Sequence, residues 1–337
     1  MLLALRRGDR GNSVGPHPRH STPVATLNPP APAIVHLDMD SFYVSVERLR
    51  DASLVGKPVA VGGSPDGRGV VASASYEARR FGVRSAMPSS QAIRLCPGLV
   101  FVHGDYSEYS VYSRQVQSVL EEFTPIVEMA SQDEAYLDLA GTERLWGALP
   151  VAADRVRRAV AERTKLPCSV GCATRKHVAK IASALCKPRG LLWVPAGSER
   201  EFLAPLPARR MPGIGPKAAE QLALLAIRTL GDLQQADERA LASLLGMHGP
   251  ELRRRALGEQ GAALAPDEES KSISHEVTFE KDLSDVDQLN SVISGLSEKV
   301  ASRLRKEALH AATIVLKYRY AGFETHTASR TLPFPTQ

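Results

Sequence analysis

Two short acidic stretches constrain this chain more than anything else in it: Asp38-Met39-Asp40 and Ser131-Gln132-Asp133-Glu134. Each sits at the edge of an apolar, strand-like run. Ile34-Val35-His36-Leu37 leads into the first, and Ile126-Val127-Glu128-Met129-Ala130 and Ala135-Tyr136-Leu137-Asp138-Leu139 flank the second. A carboxylate at the end of a buried strand costs desolvation energy unless something positive compensates it. Two such clusters, far apart in sequence, point to one shared site holding a hard divalent cation. Mg²⁺ suits the pattern, because it takes one or two carboxylates and fills its shell with water and substrate phosphates. A pair of such ions drives in-line displacement at phosphorus.

The rest of the chain is ordinary for a soluble enzyme. Its 337 residues are 43% hydrophobic and 23% charged, enough for several cores. The formal net charge of +5 fits a polyanionic partner, and it fits a mildly basic enzyme equally well. No apolar run approaches the ~18 residues that span a membrane. The opening Met1-Leu2-Leu3-Ala4-Leu5 is too short for a signal-peptide core, and arginines follow it instead of preceding it. The expectation is a cytoplasmic protein with no membrane contact. Cys96, Cys168, Cys172 and Cys186 lack zinc-type spacing and read as reduced core residues.

Residues 1–32 are rich in Pro, Gly, Arg and Ser without a sustained apolar period, and are expected to be a disordered extension outside the fold. A strand at 34–38 leads to a helix at 42–49, which Asp40 or Ser41 can cap. Short strands at 57–61, 69–74 and 99–102 alternate with helices beginning at Tyr76 and Pro88. Tyr109, Tyr112, Val116, Val119 and Phe123 recur at helical spacing over 106–123. A hairpin then places Gln132, Asp133 and Glu134 in its bend, where neighbouring acids can serve one site. A helix at 152–164, a strand at 169–173, a helix at 176–185 and a strand at 191–194 close this unit. Short Gly- and Pro-punctuated helices follow to about Gly261, then an acidic, structureless linker. The remainder reads as strand, helix, strand, strand, which leaves a helix and a strand of a ferredoxin-like unit unaccounted for.

Further residues suggest a phosphate-handling site. Tyr76 and Arg79 share a face at a helix start behind Ser73-Ala74-Ser75. Helix N-termini, arginine forks and hydroxyls all suit phosphate. Lys187, before Pro188, is a further candidate for the β- and γ-phosphates. Phe42-Tyr43 directly follows the first acids, as core or as the floor under a nucleotide sugar. Pro212-Gly213-Ile214-Gly215-Pro216-Lys217 before an apolar helix is a helix–hairpin–helix signal, which grips a phosphate backbone without reading bases.

Taken together, His36-Leu37-Asp38-Met39-Asp40-Ser41-Phe42-Tyr43, Ala74-Ser75-Tyr76-Glu77-Ala78-Arg79, Ser131-Gln132-Asp133-Glu134-Ala135-Tyr136-Leu137-Asp138, Ser169-Val170-Gly171, Ala179-Lys180-Ile181-Ala182-Ser183, Lys187-Pro188 and Pro212-Gly213-Ile214-Gly215 resemble, in order, a Y-family DNA polymerase of the bacterial polymerase IV (DinB) type. The resemblance implies a multidomain α/β right-hand polymerase. Its palm would be 33–47 and 105–194, its fingers 48–104, and its helix–hairpin–helix thumb 195–262. A linker at 263–270 would lead to a little finger at 271–337 that is truncated. The resemblance makes Asp38 and Asp133 ligands of two Mg²⁺ ions (Mn²⁺ able to substitute), with the Met39 carbonyl. Glu134 becomes the catalytic carboxylate and a metal ligand, and Tyr43 beside Phe42 the steric gate against ribonucleotides. Ser73, Tyr76, Arg79 and Lys187 become triphosphate contacts, and Gly213, Ile214, Gly215 and Lys217 contacts to the DNA backbone. Asp40 is not made a ligand.

The implied reaction is attack of a primer 3′-hydroxyl on the α-phosphorus of a dNTP, in low-fidelity translesion synthesis without a proofreading exonuclease. The implied partners are primer–template DNA, dNTPs and the sliding clamp, although no clamp-binding tail is visible, and the implied state is a monomer. Two other readings stay open on the residues: a non-catalytic DNA-binding remnant, and a palm-type two-metal nucleotidyl cyclase.

Overall fold

A computed structural model describes residues 2–7, 32–259, 264–265 and 271–337. Its strands are β1 (Leu2–Arg7), β2 (Ile34–Met39), β3 (Val59–Gly62), β4 (Val71–Ala74), β5 (Val100–Val102), β6 (Val127–Met129), β7 (Glu134–Asp138), β8 (Cys168–Ala173), β9 (Leu191–Trp193), β10 (Ser272–Glu276), β11 (Ala311–Arg319) and β12 (Thr325–Thr336). The chain divides into two compact units, one within 27–63 and 70–267, the other within 1–26, 64–69 and 268–337.

The first unit is built on a five-stranded sheet in the order β6-β7-β2-β8-β9. Its centre, β2, is antiparallel to both β7 and β8. Every residue of β2 is buried except half-buried Asp38. Helices cover both faces, which is why this strand reads as a continuous apolar run instead of alternating. Val35 and Leu37 pack with Val116 and Leu120 of the Tyr106–Glu121 helix and Val156 and Val160 of the Leu149–Thr164 helix. Ile34 faces the other way, with Tyr136 and Ala173, toward Val178, Ile181 and Ala182 of the Lys176–Leu185 helix. By strand alternation Asp38 lies on that second face.

The second helix sits unusually close to the sheet. A Cβ on Gly171 of β8 would stand 2.1 Å from the Ala179 carbonyl oxygen and 2.4 Å from the Ser183 nitrogen. Only glycine allows this approach, and it brings the helix's lysines within reach of the sheet's acids. A separate three-stranded sheet, β4-β3-β5, packs on its own small core around Ala60, Val71, Ala78 and Ala92. Short helices from Glu199–Leu203 to His248–Ala256 complete the unit around Leu203, Leu222, Leu233 and Leu252.

The second unit is a four-stranded sheet, β10-β1-β11-β12, packed by the Val286–Lys306 helix. Its core is Ile273, Leu296, Val300, Leu304 and Ala311.

Several boundaries differ from expectation. The largest difference is at the N-terminus, where Leu2–Arg7 is a strand and not part of a disordered extension. A short apolar run has no period of its own, and its strand character comes from partners more than 260 residues away. The rest of that expected extension, 8–31, lies outside the described residues, as does most of the linker 263–270. The helix expected to begin at Tyr76 is a single turn, Tyr76–Arg79. Glu134 is not in the hairpin bend but opens β7. The Leu149–Thr164 helix starts a turn earlier than read, with proline in its first turn.

Candidate active site

The acids meet because β2 ends where β7 begins. In the antiparallel register Asp38 lies directly opposite Glu134. The Met39 N–H donates to the Asp133 carbonyl at 2.9 Å, tying the strand end to the bend. The bend is closed by Ala130 and Ser131 N–H groups donating to the Glu134 carbonyl at 2.9 and 3.2 Å. Ser131 Oγ donates to Asp133 Oδ1 at 2.6 Å. Two clusters nearly a hundred residues apart are thus one carboxylate rim at the end of a buried sheet.

Lysines neutralise this rim. Lys187 Nζ contacts Asp38 Oδ1 and lies 3.5 Å from the Met39 carbonyl oxygen. Lys180 Nζ is 2.5 Å from Glu134 Oε2, and Lys176 Nζ is 2.7 Å from Glu128 Oε1. Lys176 and Lys180 are one helical turn apart, so the Lys176–Leu185 helix lays both against the sheet. Burial lifts the Asp38 pKa to about 6. Lys187 opposes that rise, and the negative charges of Glu134 and Asp133 add to it. Buried His36 has Nδ1 2.7 Å from Ser183 Oγ. Burial, then the charges of Lys180, Lys187 and Lys176, push its pKa down to about 3, so the ring is neutral.

Among the described residues no three acid, imidazole or thiol groups converge closely enough to cage a metal by themselves. The donor set still fits a hard cation. The rim offers carboxylate oxygens and one backbone carbonyl, and two ammonium groups already stand at Asp38 and Glu134 where positive charge is needed. An ion held by one or two carboxylates and completed by substrate phosphates needs no protein cage.

The aromatic pair beside the rim divides. Phe42 is buried core, 3% exposed. Tyr43 is half-buried, with its ring stacked on Tyr109 at 4.2 Å and 17° and edge-on to Tyr106 at 5.6 Å. Its hydroxyl donates to Gln132 Oε1 at 3.3 Å, which anchors it to the acidic bend.

The expected phosphate-binding helix start is altered. Its one turn has Ser75 Oγ accepting from the Ala78 N–H at 3.2 Å, so that donor is engaged. Ser73 is buried in β4. Arg79 is exposed, donates from Nε to the Ala74 carbonyl at 3.0 Å, and stacks 5.0 Å from the Tyr76 ring centre. The Tyr76 hydroxyl donates to Asp40 Oδ1 at 3.0 Å. Burial and then Asp40 raise its pKa well above the tyrosine range, keeping the proton on.

Asp40 is the residue that sequence reasoning underrated. It is 1% exposed and caps no helix. Its carboxylate accepts from Tyr76, from Ser169 Oγ at 3.0 Å, and from the Arg189 N–H at 2.7 Å. It therefore joins the Tyr76 turn, β8 and the segment carrying Lys187. Nothing in the sequence marks Lys180 or Gln132 for a role either. Their partners depend on strand register and on the depth of the helix, which no local motif encodes.

The turn at 213–217 is mostly open. Gly213, with φ +98°, Gly215 and Lys217 are exposed, whereas the Ile214 side chain is buried and its N–H donates to the Met211 carbonyl at 3.0 Å. Gly215 precedes the Pro216–Leu224 helix as its N-cap. A cavity of about 560 Å³ runs from Lys180 and Ile181 to Arg209, Arg210 and this turn.

The impB/mucB/samB family matches residues 37–184, and its C-terminal domain matches 270–337. The chain belongs to the impB/mucB/samB family. Within it, the chain is 42% identical over 302 residues to DNA polymerase IV of Dehalococcoides mccartyi strain CBDB1, covering 90% of this chain and 77% of the relative. It is 45% identical over 305 residues to DNA polymerase IV of Methanoculleus marisnigri, covering 89% and 84%. A Y-family DNA polymerase chimera shares the fold at a TM-score of 0.80 and 23% identity, covering 90% of this chain and 88% of that one. The expected fold class, a multidomain α/β right-hand polymerase fold, holds.

Proposed function

We propose that Asp38, Asp133 and Glu134 are the catalytic carboxylates of this family member, a template-directed DNA polymerase that adds dNTPs to a primer 3′-hydroxyl in translesion synthesis. The observation that carries the site is the register: Asp38 stands opposite Glu134, and Asp133 is tied to Met39 through the backbone. Asp38, Asp133 and the Met39 carbonyl would hold divalent ions, two Mg²⁺ in this reading. Bound there, the ions lower the hydroxyl's pKa and neutralise the triphosphate. Lys187, already at the rim, faces the phosphates. Arg79 and Tyr76 lie on the turn that Asp40 fixes, with Ser73 beside them in β4. Tyr43, clamped between Tyr109 and Gln132, is held too firmly to yield to a ribose 2′-hydroxyl, and so acts as the steric gate.

The five-stranded sheet is then the palm, the three-stranded sheet the fingers, the segment after Pro195 the thumb, and the C-terminal unit the little finger. Gly213, Gly215 and Lys217 would meet the DNA backbone, with Ile214 anchoring the turn from beneath. A monomer on primer–template DNA in the cytoplasm suffices for this chemistry.

The test is extension of a short primer–template with Mg²⁺ and dNTPs, with Asp133→Ala alongside. Extension by the native chain, lowered roughly 10²–10³-fold or more in the variant, is the expected result. Equal extension by both would remove the acidic rim from catalysis.

A further inference from the structure

Tyr43 and Glu47 lie one turn apart on the Phe42–Arg50 helix, so their side chains share a face. Across that face lies the ring of Tyr109, fully buried on the Tyr106–Glu121 helix. The ring stacks on Tyr43 at 4.2 Å, and its hydroxyl donates to Glu47 Oε1 at 2.7 Å. Glu47 is 6% exposed, with Arg50 Nη1 3.4 Å from the same oxygen. Burying a carboxylate costs stability, and an apolar side chain would fill the space without that cost. What the carboxylate adds is direction, because it fixes where the tip of the Tyr109 ring lies. Space around that tip is tight: a Cβ on Gly104 would stand 3.1 Å from the Tyr109 hydroxyl oxygen and 2.9 Å from Val61 Cγ1. The tip of Tyr43 is held separately. Gln132, which accepts from its hydroxyl, donates from Nε2 to Ser110 Oγ at 3.0 Å.

We propose that Glu47 is a specificity-determining residue: by anchoring the Tyr109 hydroxyl it sets the position of the Tyr43 ring, and with it the rejection of ribonucleoside triphosphates. It acts through Tyr109 and is a positioning residue, not a catalytic one. Stacked rings slide past each other easily, because dispersion and ring electrostatics favour several offsets. A bond at the tip of the ring removes that freedom. Excluding a single hydroxyl is decided over about 1 Å, a displacement that can change a rate about a hundredfold. A ring that drifts by part of this distance lets the 2′-hydroxyl in, while a deoxyribose, which lacks that group, is used as before. This role rests on Tyr43 being the steric gate.

The test is single-turnover incorporation of a dNTP and of the matching rNTP opposite one template base, compared as the ratio of their efficiencies. In Glu47→Leu the ratio should fall roughly tenfold, the equivalent of one lost hydrogen bond. The fall should come from faster rNTP use, with dNTP use kept within about twofold. Glu47→Gln keeps an acceptor for the Tyr109 hydroxyl and should hold the ratio near that of the native chain. Tyr109→Phe keeps the ring and removes only the hydroxyl. It should match Glu47→Leu, and it covers the case in which that variant does not fold. Equal losses for dNTP and rNTP in Glu47→Leu and Tyr109→Phe would make the pair merely structural and overturn the proposal. So would a Glu47→Gln variant as permissive as Glu47→Leu.

Tyr43→Ala separates this proposal from the reading beneath it. If that variant rejects rNTPs as the native chain does, Tyr43 is not the gate and both fall. If it admits them while Glu47→Leu and Tyr109→Phe do not, the gate stands and the positioning role of Glu47 is overturned. With both correct, Glu47→Leu added to Tyr43→Ala should change the ratio no further, because the two act through one ring. A further tenfold fall in the double variant would mean that Glu47 acts on the sugar by another route, and would overturn the proposal.

Discussion

The five-stranded sheet keeps its central strand inside, between β7 and β8 and between helices on both faces, whereas the four-stranded sheet takes a central strand from the opposite end of the chain and leaves most of β12 exposed. Among the described residues, every buried polar or charged side chain lies in the first unit, none in the second. Buried polar groups cost stability unless fully paired, and fully paired they impose one geometry. The contrast separates two tasks. The sheet that carries acids must place a few oxygens accurately, so it spends close packing and a hydrogen-bonded hub on that end. A sheet assembled by backbone pairing over a small apolar core needs no such accuracy. Both tryptophans, Trp146 and Trp193, belong to the first unit, so their fluorescence follows that unit alone.

The largest expected effect comes from the closest contact. Gly171→Ala would drive a methyl into the Ala179 carbonyl and the Ser183 nitrogen, both backbone atoms of one helix. The helix must move off the sheet, and Lys180 with it, away from Glu134. A loss of about 3 kcal/mol is expected in denaturant unfolding followed by tryptophan fluorescence. Amide protection in β10 and β11 should not change. A loss below about 1 kcal/mol would show that the helix is free to shift, and that the tight fit of the first unit is not what sets it apart.

The next effect probes the buried hub. In Asp40→Asn one carboxylate oxygen becomes an amide that donates, facing donors from Tyr76, Ser169 and Arg189. Leaving one of them unpaired costs about 2 kcal/mol. If the hub positions the Tyr76 turn and Lys187, the same variant raises the KM for dNTP more than it lowers kcat. Tyr76→Phe should cost less than Asp40→Asn, and the pair together less than their sum, because both remove one bond. Additive losses would break the link between Asp40 and the turn.

These residues show where the sequence was informative. The apolar runs around Val35 and Leu137 announce strands, and the acids at their ends announce a shared rim, because burial and desolvation act locally on any strand. The ordered motifs then made the family plain. Tyr43 stands among those motifs, but nothing in them shows the stacking on Tyr109 that fixes its ring. Asp40, Lys180 and Gly171 were opaque for a common reason: each acts across a distance set by register or helix depth. Residues 2–7 were opaque for a stronger one. Six residues without a period become a strand only when strands elsewhere supply both ladders, so nothing in the segment itself distinguishes it from a tail.

The smallest effect has the opposite sign and belongs to the second unit. Gly295 sits in the middle of the Val286–Lys306 helix, and a Cβ there would meet nothing within 4 Å. Glycine inside a helix costs about 1 kcal/mol relative to alanine, mostly in backbone freedom lost on folding. Gly295→Ala should therefore stabilise this unit by about 0.5–1 kcal/mol, read as slower amide exchange along 286–306. The tryptophan-detected transition of the first unit should stay where it is. The same substitution thus destabilises one unit at Gly171 and stabilises the other at Gly295, because one glycine makes room for a backbone and the other makes room for nothing. If Gly295→Ala were destabilising, the open side of that helix would have to be covered by something in solution. The four-stranded sheet would then be as closely packed as the five-stranded one.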